Sequence, residues 1–285
     1  MTNWDEGLLD EKQSNFVSRQ LQTPVLVENM SWNLVDTRVL LVRAAGACFV
    51  VKAAPLTNHH IGREITAHET YTEPLVRLGR TGRLIARSRS INILMTTFQP
   101  GVLVQGSAFE WASDIYGQAG ATLRALHDQN ARVDDEYEFR MTDKAIAYLD
   151  QPHRIASHLE LEARRILAAY KPAPIVVAPT HGDWQPRNWL ADGQQLRVID
   201  FGRFGFRPPA TDFCRLASQQ WRDDPSLEEA FLSGYDADPR DSDVWPIDLL
   251  REAIGTVVWA FQAGDVAFEE QGYRMLEEAI IRLAG

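Results

Sequence analysis

The sequence predicts a two-lobed α+β protein, in which a small lobe rich in β-strands precedes a larger, mainly helical lobe. With 285 residues, the chain is long enough for two modest domains. Short apolar runs dominate the first third of the sequence, whereas long amphipathic patterns dominate the rest. A Gln-Pro-Gly break at residues 99–101 separates the two regions. We therefore expect lobes at residues 1–98 and 99–285, with a ligand-binding cleft between them.

The first lobe is predicted to begin with a helix and to continue as a sheet. Apolar residues recur at roughly helical spacing over residues 5–21. Short apolar runs predict strands over residues 24–27, 34–43, 47–53, 83–87 and 91–97. Ala45-Gly46 favours a hairpin turn between the second and third of these strands. A further helix is expected over about residues 58–78.

The second lobe is predicted to be mainly helical. Amphipathic patterns indicate long helices over residues 110–128 and 154–170. Two short apolar runs, at residues 175–178 and 196–201, are typical of strands and enclose a polar loop. After the Pro-Pro pair at residues 208–209, the pattern predicts helices separated by turns up to the last residue.

The composition excludes several classes of protein. Hydrophobic residues make up 45% and charged residues 24% of the chain, as in ordinary globular proteins. Two cysteines, Cys48 and Cys214, are too few for a disulfide framework or a cysteine-rich zinc site. The longest uncharged run, residues 90–109, contains Pro100, Gly101 and several polar residues, which excludes a membrane span. Because the acidic N-terminus does not resemble a signal peptide, we expect a cytoplasmic protein without a membrane partner.

The charge is distributed unevenly along the chain. The formal net charge is −10, which disfavours a nucleic-acid partner. Residues 1–215 contain 24 acidic and 24 basic residues, whereas residues 216–285 contain 15 acidic and 5 basic residues. This acidic C-terminal segment is either a solvated surface that aids solubility or a source of attraction for a cationic ligand.

The residues that best indicate a function lie in two loops of the second lobe. The first loop reads His-Gly-Asp-Trp-Gln-Pro-Arg-Asn over residues 181–188, and the second reads Ile-Asp-Phe-Gly-Arg over residues 199–203. They supply the carboxylates of Asp183 and Asp200 and the amide of Asn188. Phosphoryl transfer needs such a set, because one carboxylate orients a hydroxyl and accepts its proton while the other two groups hold Mg²⁺ against the phosphates. Taken singly, each residue also suits a helix cap, a turn or a strand end.

These two motifs resemble those of the aminoglycoside phosphotransferase and choline kinase-like family, and of its antibiotic kinases in particular. The resemblance implies a protein-kinase-like fold. It also implies that Asp183 is the catalytic base and that Asn188 and Asp200 are the Mg²⁺ ligands. His181 and Asp212 match positions that support the catalytic loop rather than react.

A lysine and a glutamate of the first lobe fit the same family. Lys52 is one of four lysines in a chain with 25 arginines, and it lies in an apolar predicted strand, where an unpaired ammonium group is costly. Kinases need a lysine in such a strand for the nucleotide phosphates, and an acidic residue on a nearby helix to hold it. Glu64 is the favoured partner, and Glu69 is the alternative.

The nucleotide base is expected at the segment that joins the lobes. Residues 93–101 resemble the family's hinge, and we expect the backbone of Thr96 and Phe98 to bind the nucleotide, although the same residues suit a buried strand ending in a turn. No Gly-x-Gly-x-x-Gly loop precedes the lysine, so Ser31 is a candidate either for a phosphate contact or for a plain turn. The sequence also lacks an Ala-Pro-Glu element after the second motif, which favours a small-molecule acceptor over a protein.

We therefore expect a kinase that uses ATP or GTP and Mg²⁺ to phosphorylate a hydroxyl of a small cationic molecule. The acidic C-terminal segment favours a polycationic antibiotic, either an aminoglycoside or a basic cyclic peptide of the tuberactinomycin type, and hence a role in resistance. The candidate acceptor contacts are Asp223, Asp224, Asp265, Glu269 and Glu270. The alternatives are a metabolic kinase for choline, a sugar amine or an amino acid, and a nucleotide-binding pseudokinase without turnover.

Overall fold

The N-terminal part of the protein is built around a sheet. The structure is a computed structural model that describes residues 4–32 and 36–284. The elements of this part are α1 (Glu11–Gln20), β1 (Val25–Asn29), β2 (Arg38–Ala44), β3 (Ala47–Ala53), α2 (His60–Thr70), α3 (Glu73–Arg77), β4 (Leu84–Ser88) and β5 (Ile93–Thr97). Strands dominate here and helices dominate the remainder, so the predicted fold class is confirmed.

The five strands form one antiparallel sheet in the order β1-β2-β3-β5-β4. The predicted turn joins β2 to β3, with φ values of 48° at Ala45 and 80° at Gly46. Two positive φ values in succession are what a two-residue type I′ hairpin requires. Lys52 lies on β3 opposite Val39 of β2 and Leu94 of β5. Strands on both sides therefore fix the position of this lysine.

Some boundaries in this part differ from the sequence-based prediction. Helix α1 begins at Glu11 rather than at residue 5, because Asp10 forms a capping box with the first turn. The single helix expected next is divided into α2 and α3. Pro74 lies in the first turn of α3, where its missing N–H is tolerated, but it could not have continued α2 without losing a backbone hydrogen bond. Strand β2 is described from Arg38 onward, and residues 33–35 of the predicted strand lie outside the described residues.

The C-terminal part is mainly helical, with short strands around the predicted loops. Its elements are β6 (Val102–Leu103), α4 (Ser113–His127), β7 (Arg132–Asp134), α5 (Tyr137–Leu149), α6 (Ser157–Ala169), β8 (Ile175–Thr180), β9 (Trp189–Asp192), β10 (Gln195–Val198), β11 (Gly205–Arg207), α7 (Cys214–Ser218), α8 (Gln220–Asp223), α9 (Pro225–Tyr235), α10 (Trp245–Ala263) and α11 (Val266–Ala284). The strands form two three-stranded sheets, β10-β9-β6 and β11-β8-β7.

Helix α5 and the strands β6, β7, β9 and β11 were not predicted from the sequence. The inner face of α5 buries the polar residues Glu138 and Thr142 beside Ala145 and Leu149. The strand predicted over residues 196–201 ends at Val198, because Asp200 adopts a left-handed conformation with φ 67° and a 3₁₀ turn follows at Phe201–Arg203. This break turns the Asp200 side chain out of the strand.

The helices of the C-terminal part pack closely around two buried clusters. One cluster surrounds Trp184, Trp189 and Phe213, and the other lies between α10, α11 and the helices α5 and α6. Helices α4 and α9 approach so closely that a Cβ on Gly234 would overlap the carbonyl group of Gly117. None of the helices in the described parts of the chain combines the length and the apolar character that crossing a membrane would need.

Candidate active site

The predicted catalytic loop leaves β8 at Thr180 and enters β9 at Trp189. Gly182 has a φ of 81°, and a side chain there would clash with the carbonyl oxygen of Arg203. Only glycine combines this conformation with so close an approach. The loop is therefore held directly against the turn that follows Asp200.

His181 and Asp212 hold the catalytic loop in place. The Asp212 carboxylate accepts the backbone N–H groups of His181 at 2.8 Å and Gly182 at 2.6 Å, and it lies 3.1 Å from His127 Nε2. The His181 ring accepts the N–H of Asp183 at 3.3 Å through Nδ1, and its Nε2 donates to the carbonyl of Ile199 at 3.1 Å. Burial lowers the pKa of His181, so the ring is neutral, as this pattern requires. Both residues have the supporting position that the resemblance implies.

Asp183 is buried, with 5% of its surface exposed, and donors surround its carboxylate. Oδ1 accepts a hydrogen bond from Gln185 at 2.6 Å, and Oδ2 accepts from Arg187 at 2.8 Å and from Asn188 at 2.9 Å. Arg215 Nε lies 3.2 Å from Oδ1. Burial alone would raise the pKa of Asp183, but the charges of Arg215, Arg187 and Arg203 outweigh it and hold the pKa well below its usual range. The group is a fixed carboxylate at neutral pH.

Asn188 and Asp200 present oxygen atoms that suit Mg²⁺. The Asn188 amide nitrogen donates to both the backbone and the side chain of Asp183, at 2.8 and 2.9 Å, and no hydrogen bond from the described residues reaches its Oδ1. The Asp200 carboxylate is half exposed and uses only Oδ1 for its contact with Lys52. Mg²⁺ in kinases is held by one or two such protein oxygens, together with phosphates and water. The two residues therefore fit this ion.

Lys52 joins the two parts of the protein. Its Nζ lies 2.9 Å from Glu64 Oε1 and 3.0 Å from Asp200 Oδ1. Burial opposes the ammonium charge, but Asp200 and Glu64 outweigh it and hold the pKa of Lys52 above its usual range. Glu69 instead pairs with Arg87 and Arg89. The structure thus brings Glu64, and not the alternative, to the lysine.

The other proposed nucleotide contacts are Phe98, Thr96 and Ser31. Phe98 follows β5, and its N–H donates to the Cys48 carbonyl at 3.1 Å, while its own carbonyl accepts from Gln99 at 3.1 Å. Thr96 is paired with strands on both sides. A carbonyl oxygen can accept two hydrogen bonds, so the Phe98 carbonyl, which accepts one from Gln99, can accept another. The Ser31 hydroxyl accepts the N–H of Val39 on β2 at 3.0 Å and donates to Asn29 at the end of β1.

The five acidic candidates of the C-terminal segment do not meet at the catalytic loop. Asp224 caps α9, and Asp265 accepts a hydrogen bond from the first turn of α11. Asp223 pairs with Arg222, and the buried Glu269 pairs with Arg154. Glu270 is exposed. Their contribution to acceptor binding stays a prediction.

A cavity of about 370 Å³ borders the catalytic loop next to Asp183, although Asp183 itself is not among its lining residues. Gly182 and Arg215 line it, and so do residues of α5, α10 and α11. Sequence reasoning missed Arg215, which contacts Asp183, and the lining residues Arg63, Lys144 and Arg207. Arg63 and Lys144 are distant in the sequence from the two motifs, whereas Arg207 and Arg215 follow the second motif but lie outside it. This cavity is the space in which an acceptor hydroxyl could approach the carboxylate.

The match to a known family agrees with this geometry. Residues 74–245 match the model of the phosphotransferase enzyme family. This range is more than half of the chain, so the protein belongs to that family, and the resemblance seen in its motifs is confirmed. It is a small-molecule kinase. No curated protein matches the sequence.

Solved structures with low sequence identity share the fold. A thermostable mutant of aminoglycoside phosphotransferase APH(4)-Ia, in a ternary complex with ADP and hygromycin B, has 13% identity and a TM-score of 0.69, covering 95% of this chain and 98% of that one. Choline kinase LicA from Streptococcus pneumoniae has 15% identity and a TM-score of 0.64, with 96% and 99% covered. Macrolide 2'-phosphotransferase MphH from Brachybacterium faecium has 16% identity and a TM-score of 0.56, with 97% and 98% covered. These similarities establish the protein-kinase-like fold.

Proposed function

We propose that the protein is a Mg²⁺-dependent O-phosphotransferase that uses ATP or GTP to phosphorylate a hydroxyl of a small molecule. The observation that carries this proposal is that Lys52, Asp200, Asn188 and Asp183 are linked by contacts, since the N–H of Ile199, which precedes Asp200, donates to the Asn188 carbonyl at 3.0 Å. Lys52 contacts Asp200 at 3.0 Å, and Asn188 contacts Asp183 at 2.9 Å. Residues 1–98 would bind the nucleotide, and residues 99–285 would supply catalysis and the acceptor site.

The nucleotide would lie between β3 and the Asp200 turn. Lys52, oriented by Glu64, would bind the phosphates, and the Phe98 carbonyl would accept a hydrogen bond from the base. Asn188 and Asp200 would hold Mg²⁺. When bound, this ion neutralises charge on the phosphate oxygens. The same proposal includes a contact of Ser31 with a phosphate and a contact of the Thr96 backbone with the nucleotide.

Asp183 would orient the acceptor hydroxyl and take its proton. The acceptor oxygen forms a bond to the γ-phosphorus while the bond between that phosphorus and the bridging oxygen breaks, so that the nucleoside diphosphate leaves. Four donors now surround the Asp183 carboxylate, which has about four acceptor sites in all. The hydroxyl must therefore replace one donor. Arg187 is the candidate to withdraw, because its side chain is 32% exposed whereas that of Arg215 is 8% exposed.

The proposal also concerns the chemical class of the acceptor, for which there are two options. A polycationic antibiotic, and with it a cytoplasmic resistance enzyme, is supported by the acidic C-terminal segment and by fold-level similarity to a kinase solved with hygromycin B. A metabolic hydroxyl compound is supported by the fold-level similarity to a choline kinase. None of the five acidic candidates lines the cavity beside Asp183, which weakens the first option.

Turnover assays with an acceptor panel test the proposal. ATP and GTP would each be offered with hygromycin B, gentamicin, capreomycin, choline and hydroxy acids, and phosphorylated product would be detected by mass spectrometry. We expect product with at least one acceptor from wild-type protein and none from Asp183→Ala. Asp143→Ala is the matched control, because Asp143 is exposed on α5. Mg²⁺-dependent nucleotide binding without product from any acceptor would instead indicate a pseudokinase.

A further inference from the structure

The cavity beside Asp183 is separate from the proposed nucleotide contacts. Lys52, Asp200, Thr96 and Phe98 are absent from its lining. Gly182 lines it and directly precedes Asp183 in the chain. Its walls come from α2, the catalytic loop, the turn after Asp200, and helices α5, α7, α10 and α11. Asp183 is also absent from the lining, but Arg215, which lies 3.2 Å from its carboxylate, is part of it, so the hydroxyl of an acceptor bound there would have to extend beyond the lining to reach Asp183.

The lining of this cavity is basic, although the protein as a whole is acidic. The basic side chains are Arg63, Lys144, Arg203, Arg207, Arg215 and Arg251, and the acidic side chains are Asp248 and Glu252. Two of the arginines are already neutralised. Arg215 lies 3.2 Å from Asp183 and 2.8 Å from Glu252, and Arg251 lies 2.8 Å from Glu138.

The four other cations have no acidic partner. Within residues 4–32 and 36–284, none of Arg63, Lys144, Arg203 and Arg207 lies within ion-pair distance of a carboxylate. Arg207 donates only to the Thr180 hydroxyl and the Arg203 carbonyl, both at 2.8 Å. We call these four residues the cavity cations. The two other arginines of the lining, Arg215 and Arg251, each pair with a carboxylate.

The cavity cations lie close enough to repel one another. Partial burial and then the charge of Arg207 lower the pKa of Arg63. Partial burial, Arg207 and Arg63 likewise lower the pKa of Lys144. A cluster of like charges in a partly desolvated cavity is unfavourable unless an anion is bound there.

The two acidic lining residues offset only part of this charge, mainly through the attraction of Glu252 for Lys144 and Arg203. Glu252 is engaged with Arg215 at 2.8 Å. Asp248 is buried next to Arg251, at 3.4 Å. Burial and the neighbouring Glu138 raise the pKa of Asp248 to about 7, so it carries only part of a charge near neutral pH. The net positive charge of the cavity lining would therefore repel a polycation.

We propose that the acceptor carries an anionic group, a carboxylate or a phosphate, which binds the cavity cations while its hydroxyl lies against Asp183. Guanidinium groups match both anions with paired hydrogen bonds, and Lys144 adds a point charge. The inference rests on the proposed function, because it names the acceptor of that same reaction.

Binding of inorganic phosphate tests the cavity without any need for turnover. Phosphate would be titrated calorimetrically into wild-type protein, alone and saturated with AMP-PNP and Mg²⁺, so that the nucleotide site is blocked. The double variant Arg63→Gln/Lys144→Gln removes two exposed cavity cations that make no hydrogen bond with their side chains within the described residues. We expect its Kd for phosphate to rise at least about tenfold, since a hydrogen bond to a charged group is worth that much.

The control variant Arg282→Gln/Lys171→Gln removes the same charge from exposed positions outside the cavity. We expect its Kd for phosphate to stay within about twofold of the wild-type value, because such distant charges are screened. Equal Kd values for the wild-type protein and the cavity variant would overturn the proposal. So would an equal loss in both double variants, because that result would show a general charge effect.

Turnover then distinguishes the source of the anion. Glycerate, glycerol 3-phosphate and choline are hydroxyl compounds of similar size that carry a carboxylate, a phosphate and a cation, respectively. We expect product from one of the two anions, with a KM that the cavity variant raises at least about tenfold. Product from choline alone would overturn the anionic acceptor and leave the kinase intact. Absence of Mg²⁺-dependent nucleotide binding would count against the proposed function, whereas phosphate binding would still report on the cavity.

Discussion

At the scale of single residues, Asp183 is the group whose surroundings constrain the chemistry most. Its low pKa makes it a weak base, so its main contribution is to orient the hydroxyl and accept the proton late in the transfer. The Asp183→Asn variant keeps the size of the side chain but loses the acceptor oxygen. We expect kcat to fall by about 10²–10⁴, with nucleotide binding retained. Turnover within about threefold of wild type, in protein with an unchanged Tm, would show that the base lies elsewhere.

Substitution of either proposed Mg²⁺ ligand, Asn188 or Asp200, is expected to change nucleotide binding as well as kcat. Asn188→Ala and Asp200→Ala each remove one oxygen that we assign to the ion, so nucleotide binding should lose part of its dependence on Mg²⁺. Calorimetric titration of ATP with and without Mg²⁺ measures this dependence directly. Asp192→Ala is a control, because Asp192 is a half-exposed strand-end residue that pairs with Arg197. If both variants keep the wild-type ratio of Kd values, these residues do not bind the ion.

Glu64 and Glu69 form a matched pair on α2. Glu64 is 4% exposed and contacts Lys52, whereas Glu69 contacts Arg87 and Arg89 at the surface. We expect Glu64→Gln to raise the KM for ATP by about tenfold, because a charge-assisted hydrogen bond that orients the lysine is weakened. Glu69→Gln should leave it within about twofold, since surface ion pairs contribute little. Equal effects on KM would remove Glu64 from its proposed role.

At the scale of elements, the contact of α4 with α9 depends on glycine. A methyl group at Gly234 would overlap backbone atoms of Gly117, so the helices would have to separate. We expect Gly234→Ala to lower the free energy of unfolding by about 1–3 kcal/mol, as overpacking does. Gly62→Ala on α2 is the control, because the nearest atom to its new methyl group, Arg89 Nη1, is 3.9 Å away. Urea denaturation of both variants would measure the difference, and equal midpoints would show that the helices can adjust.

The elements that the sequence predicted well are those whose signal is local. The Ala45-Gly46 turn and the strands β3 and β5 followed from short apolar runs and turn residues. Helix α5 was missed, and its inner face carries the buried Glu138, whose partner Arg251 comes from α10. A buried charge becomes acceptable only when a distant residue pairs with it, and single-sequence periodicity does not contain that information.

The candidate active site likewise contains residues marked by a local motif and residues brought in from distant parts of the chain. Asp183 and Asn188 lie in one short motif, and the loop geometry follows from that motif alone. Arg215 comes from α7, and Lys144 comes from α5. Only the packing of helices places them next to the catalytic loop, so the acceptor side of the site could not be predicted from the sequence.

At the scale of the whole molecule, the net charge and the charge of the cavity have opposite signs. The acidic excess lies in residues 216–285. The five acidic candidates of this segment cap a helix, bond a first turn, pair with arginines or face solvent. Two other acids of the segment, Asp248 and Glu252, do line the cavity, where they lie next to Arg251 and Arg215. The cavity is basic because residues from α2, α5 and the turns around β11 converge there. Charge summed along a chain therefore does not report the charge of a site, which depends on which side chains the fold brings together.

The double variant Asp223→Asn/Glu270→Gln tests which of these charges governs acceptor binding. Its acceptor KM would be measured at low salt and at about 0.1 M salt, where charges are screened beyond about 10 Å. We expect KM at low salt to remain within about twofold of wild type, because neither residue lines the cavity. Salt should raise KM in the wild-type protein and in this variant alike, since it screens the cavity cations in both. A rise in KM at low salt that disappears at higher salt would show that the acidic segment attracts the acceptor, which would then be a cation, and the anionic acceptor would be wrong.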